Sequence, residues 1–168
     1  KNIFISGKNL GSLIDVLNTE LKLISNWFCA NLLSLNIKKT NYILFGNKKL
    51  QDVSISINGE NISRVFVTKF LGVLIQANLK WNEHISLLAN KRSKTTGVLN
   101  KVKYILNTSH LKLLYHSLIE PYLNYCCIIW ANPQKNGSLE SIFKLQKRAI
   151  RIITYSAFYA HTRSLFHK

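Results

Sequence analysis

Leu10, Ile14, Leu17, Leu21, Ile24 and Phe28 recur at steps of three and four residues. That spacing draws a single apolar stripe down one side of a helix. Ser12, with Asp15 three residues later, forms a plausible capping pair at its start. Ile3 to Ile5 read as a short strand before it, Asn36 to Thr40 as a polar turn after it, and Tyr42 to Phe45 as a strand. Val53, Ile55 and Ile57 then alternate with Ser54 and Ser56 and run into Asn58-Gly59, the strongest short hairpin signal. Val65 to Ile75 reads as a further strand with Gly72 inside it. A glycine weakens a strand, so it marks a bulge or the close approach of another backbone or a ligand. From Trp81 the period becomes helical, with Trp81, Ile85, Leu88, Leu99, Val102 and Leu106 on one face. A second helix from about Ser109 must kink or end at Pro121, which has no backbone N–H to donate. Asn132-Pro133 and Asn136-Gly137 mark a loop, and a last helix is predicted from near Ser138 to about Tyr155. The fold class is α+β: residues 1–80 place a helix on a small, mostly antiparallel sheet, and residues 81–168 form a three-helix bundle.

Composition sharpens this picture at three points. The chain is 168 residues long and 47% hydrophobic, enough to bury a core. Nothing in it approaches the roughly 18 consecutive apolar residues of a membrane span. The three cysteines, Cys29, Cys126 and Cys127, are odd in number and form no CxxC pair. They are expected to be small buried hydrophobes in a reducing compartment rather than a disulfide or zinc framework. The sequons at Asn61, Asn107 and Asn136 come with no signal peptide and are read as chance. The chain contains no methionine, starts inside the strand-like KNIFISGKN and stops at SLFHK, the pattern expected of a piece of a larger protein.

Charge changes the functional expectation most. Lys and Arg number 23 against 7 Asp and Glu, a net charge of +16. Residues 84–168 hold thirteen of the basic residues and only two acids, Glu120 and Glu140. Such an excess repels itself in the compact state and favours a polyanion, most commonly nucleic acid. In the last predicted helix Lys144, Lys147, Arg148 and Arg151 share one face, and that face is expected to carry no acid. Leu139, Ile142, Phe143, Ala149, Ile150 and Ile153 take the other. A phosphate backbone would turn the repulsion among the four cations into attraction through counterion release. Lys91, Lys94 and Lys101 lie on one flank of the preceding apolar stripe, and Arg92 and Lys103 on the other. Catalytic groupings are poor: the acids are scattered, and His84, His110, His116, His161 and His167 show no ligand spacing and read as surface or capping residues. No catalytic and no metal-ligating residue is assigned to the chain.

Five blocks in order carry a resemblance: LSLNIKKTNYILF (33–45), SISINGENI, KFLGVLIQANLKWNEHI (69–85), LKLLYHSLIEPYLNYCCIIW (111–130) and LQKRAIRII (145–153). Together they resemble the reverse transcriptases of non-LTR retrotransposons, most of all the jockey-type LINE group. The resemblance implies an intracellular RNA-directed DNA polymerase acting in cytoplasm or nucleus. In that family a palm bears a turn with paired aspartates holding two magnesium ions, one activating the primer 3′-oxygen and the other steadying pyrophosphate. NIFISGKN matches the segment just after that turn, so the catalytic aspartates are expected to lie outside this chain, and neither Asp15 nor Asp52 aligns with them. Asn36 and Lys39 match the Asn-x-x-Lys-Thr pattern of the fourth palm motif, with Ile37-Lys38 where Pro-Asp is usual. The resemblance puts them on the nucleotide side. Phe70, Leu71 and Gly72 match the primer grip, and Gln76 stands near a place where the family often has Asp. Trp81 would begin a thumb lying along an RNA–DNA hybrid. The implied partners are RNA template, DNA primer and the remainder of the enzyme, with no membrane.

Three readings follow. One is a polymerase portion, inactive alone, that contributes primer grip and template–primer binding. The second is a non-catalytic relic or co-opted nucleic-acid-binding module. The third, a basic helical adaptor for a protein or a membrane surface, is disfavoured by the ordered blocks.

Overall fold

A computed structural model describes residues 2–46, 53–132 and 139–167. The chain divides into two compact units, Lys1–Thr68 and Lys69–Lys168. The second begins ahead of the expected position near residue 80, because the last hairpin of the sheet region is tied to the helices that follow it.

In the first unit α1 spans Leu10–Ala30. Its apolar stripe is where the periodicity puts it, with Leu21 fully buried and Leu17 packed alongside. The helix starts earlier than the Ser12–Asp15 pair predicts. Asn9 is the N-cap, its side chain accepting from the Gly11 N–H, and the Ser12 hydroxyl donates to the Asn9 carbonyl. Asparagine is as good a cap as serine, and the first in line takes the position. α1 packs on β2 (Ser56–Ile57), which pairs antiparallel with β3 (Glu60–Asn61). Between them Asn58 and Gly59 both take positive φ, +51° and +82°, as a two-residue type I′ hairpin requires. The core of this unit is Leu21, Ile55, Ile57 and Ile62. The buried Ser25 hydroxyl of α1 holds the hairpin tip, 3.0 Å from Oδ1 and 2.9 Å from Nδ2 of Asn58.

The expected single sheet is instead three separate strand pairs. β1 (Asn41–Tyr42) pairs parallel with β4 (Ser63–Arg64), Asn41 opposite Ser63. β5 (Val67–Phe70) and β6 (Val73–Gln76) form a hairpin of their own. The predicted strand over Ile3–Ile5 is not formed. A strand exists through its ladder, and no ladder partner is present there among the described residues. The continuous strand expected over Val65–Ile75 is cut by Leu71 and Gly72, both at positive φ.

The second unit is helical: α2 (Asn82–Val102), α3 (Thr108–Leu118), α4 (Glu120–Asn124), α5 (Cys127–Trp130) and α6 (Leu139–Ile153). Pro121 stands in the first turn of α4, where its missing N–H costs nothing. The expected bundle of three is thus three long helices with two short ones between α3 and α6. One core joins all five, from Ile85, Leu88 and Leu99 through Leu111, Leu123 and Trp130 to Ile142, Ala149 and Ile153. The Asn132-Pro133 and Asn136-Gly137 loop, and Asp52, fall largely or wholly outside the described residues.

No helix among the described residues is long and apolar enough to cross a membrane. The cysteines differ from expectation: Cys29 is exposed, and Cys126 and Cys127 are half-buried, all three free thiols.

Candidate nucleic-acid interface

The turn that breaks the predicted strand holds Phe70, Leu71 and Gly72. Phe70 ends β5, and Leu71 and Gly72 form the tip at φ +45° and +89°. Leu71 is 73% exposed, so the tip projects into solvent. Gly72 is favoured by its φ, one that other residues rarely adopt, and a Cβ placed there would meet the ring of Tyr125 at ordinary contact distance, 3.4 Å. The group that closely approaches this glycine is therefore a tyrosine of the same unit. The Tyr125 hydroxyl donates to the Leu71 carbonyl at 2.6 Å.

Behind the tip, the rest of the hairpin is fastened to the helices. The Leu74 N–H donates to His84 Nδ1 at 3.3 Å. That contact requires the neutral ring with its proton on Nε2. His84 is buried, not a surface residue, and burial lowers its pKa. Trp130 is buried beside it, ring edge to face at 5.5 Å, and its indole N–H donates to the Tyr125 carbonyl at 2.9 Å. Gln76 has a structural task as well. Trp81 sits at the N-cap of α2 with φ +62° and offers no side-chain cap, while Gln76 Oε1 accepts from the Glu83 N–H at 3.2 Å. Gln76, at the end of the preceding strand, thus caps the next helix.

The basic residues are more varied than their spacing suggests. Lys91, Lys94 and Lys101 of α2 are exposed. Arg92, one turn away, is buried, with its guanidinium 3.8 Å from the Tyr122 ring centroid and an Nη1 donating to the Leu118 carbonyl at the end of α3. It fastens helices together. On α6, Arg148 and Lys144 are exposed, and Lys147 and Arg151 are half-buried. Lys147 lies 4.2 Å from the Phe143 ring centroid. That places Phe143, which is 48% exposed, at the edge of the basic face rather than on the opposite side. Arg151 Nε donates to the Ala160 carbonyl at 2.9 Å.

The expectation that this face carries no acid is overturned. Glu140 bonds Lys144 at 2.9 Å, both side chains 70% exposed. The hydrogen bond and charge of Lys144, helped by Lys147, hold the Glu140 carboxyl below its usual range. An exposed i,i+4 pair of this kind is screened by solvent and contributes little to stability. It mutes one cation of the face without removing it.

Asn36 and Lys39 belong to the first unit. Asn36 Oδ1 accepts from the Lys39 N–H at 3.1 Å and caps a single 3₁₀ turn, Ile37–Lys39. The Thr40 hydroxyl closes back on the Asn36 carbonyl at 2.9 Å. Asparagine and threonine here build a local turn, and the turn presents both the Lys38 and the Lys39 side chains to solvent. The remaining predicted site residues all belong to the second unit, where α2 and α6 pack against each other. Among the described residues no three His, Cys, Asp or Glu side chains converge on one point.

Comparison with known proteins finds a similarity to an RNA-directed DNA polymerase of a mobile element. The chain is similar to the RNA-directed DNA polymerase from mobile element jockey of Drosophila funebris, 25% identical over 154 residues. The alignment covers 90% of this chain and 17% of the relative, so the chain spans about a sixth of the length of the curated protein it matches. The jockey-like resemblance carried by the five ordered blocks is thereby borne out along nearly the whole chain. No protein-family model matches the chain, and no solved structure matches it.

Proposed function

We propose that this chain is the part of a jockey-like RNA-directed DNA polymerase that holds the primer end and the template–primer duplex. Residues 1–80 would belong to the end of the palm and 81–168 to the thumb. The observation that carries the reading is the similarity along 90% of the chain to a polymerase of a mobile element. The chemistry agrees with it. Leu71 and Gly72 make an exposed backbone tip suited to a nucleic-acid strand. Lys91, Lys94, Lys101, Lys144, Lys147 and Arg148 supply cations without base-reading geometry, which suits a backbone of any sequence. Lys39 is the residue on the nucleotide side. The magnesium ions of the reaction would be held elsewhere in the enzyme.

The test is binding of the chain to an RNA–DNA hybrid across a salt series. The comparison protein carries Lys144→Ala, Lys147→Ala and Arg148→Ala together. Arg151 is left alone because its contact with Ala160 is structural. Each phosphate contact contributes a slope of about 0.9 in log K against log salt. The triple variant is expected to have a slope shallower by about two to three. Identical slopes would remove α6 from the interface and with it the thumb assignment.

A further inference from the structure

The Tyr125 contact is not explained by core formation. Tyr125 is half exposed, yet it meets the hairpin tip in two ways: a 2.6 Å hydrogen bond to the Leu71 carbonyl and ring contact where Gly72 lacks a side chain. Its own backbone is fixed in turn. The Tyr125 N–H donates to the Pro121 carbonyl, and its carbonyl accepts from buried Trp130. The returning strand of the same hairpin is fixed separately through Leu74 and His84. A two-residue tip would otherwise be free to fray, since an isolated two-stranded hairpin is marginal in water. Here the tip and the strand that follows it are both referred to the helical core.

We infer that Tyr125 is a positioning residue: its phenol sets the Leu71–Gly72 backbone in the orientation that receives the primer strand. This rests on the grip reading above. Tyr125 acts through the tip and has no part in the chemistry of polymerisation. The hydroxyl fixes the direction of the Leu71 carbonyl, and the ring lies alongside Gly72. The tip therefore owes its order to a side chain more than fifty residues further along.

The decisive comparison uses the whole chain and two hybrids, one with a recessed DNA 3′ end and one blunt. Wild type is expected to prefer the recessed end. Tyr125→Phe keeps the ring and loses the hydrogen bond, a loss of about fivefold in preference for the recessed end. Its affinity for the blunt hybrid should not change, because the lysines are untouched. Tyr122→Phe is the control, since its ring on Arg92 is retained, and it should behave as wild type. Thermal melting of all three proteins detects any general loss of structure. If wild type prefers the recessed end and Tyr125→Phe keeps that preference in full, the positioning role is overturned. Equal loss of blunt and recessed binding would overturn it too, by exposing a general structural effect. If wild type itself shows no preference, the grip reading fails first and the inference falls with it.

Discussion

His84 shows how much one side chain can depend on its protonation state. Its ordinary pKa is about 6.5, and burial lowers it in the folded protein. The unfolded chain therefore takes up the proton more readily than the folded one. Linkage then makes stability rise with pH across this range. The contribution is complete above about pH 6.5 and is lost as pH falls below it toward the depressed folded value. Protonation would also place an N–H where the Leu74 N–H needs an acceptor. Urea unfolding at pH 7.5 and 5.5 is the check, with His84→Asn as the variant that accepts without titrating. Wild type should lose more stability on acidification than the variant, and equal losses would exonerate His84. Sequence could not single out this histidine from the other four. Its spacing is unremarkable, and its role comes from Leu74 and Trp130 closing around it. Arg92 makes the same point in reverse. The helical period placed it on the flank of the stripe, but only the ring of Tyr122 and the end of α3 reveal it as a fastener.

At the scale of elements, α2 shows which signals are local and which are not. Its apolar face was legible, and Ile85, Leu88 and Leu99 are buried as the period requires. Its beginning was legible only in part. Trp81 marks the start, but the cap comes from Gln76 on the preceding strand, which no rule for capping boxes would find. Gln76→Ala should destabilise the chain by about 1 kcal/mol, the net worth of one such hydrogen bond. Urea midpoints at constant m-value would measure it, and an unchanged midpoint would show that water caps the helix equally well. The strands divide along similar lines. Asn58-Gly59 announced its hairpin because both residues tolerate positive φ. Leu71-Gly72 did not, because leucine at φ +45° is unfavourable on its own. The surroundings hold it there, Tyr125 foremost, and a single long strand was the natural expectation.

For the whole molecule, the balance of charge and apolar surface is the governing fact. A net charge of +16 discourages self-contact, whereas Phe4, Leu32, Tyr104, Ile105, Ile128, Phe158 and Tyr159 stand mostly exposed. Single exposed apolar residues are ordinary, but this number in so short a chain favours association once the charge is screened. Sedimentation velocity should therefore show species larger than the monomer that grow with salt and protein concentration. A monomer unchanged across dilution and salt would mean that the charge prevails. The overall class and the basic character of the second unit were legible in composition and period. The position of the boundary between units was not, because it depends on which side chains the β5–β6 hairpin binds.

Trp130 turns the fastening of that hairpin into something that can be watched. Of the three tryptophans, Trp27 is half exposed, Trp81 is partly covered, and Trp130 is sealed at 2% exposure with its ring against His84. An imidazolium quenches indole emission where a neutral imidazole does not. The emission of Trp130 is therefore expected to dim as His84 takes up its proton, and Trp130 sits one hydrogen bond from the tyrosine that holds the hairpin tip.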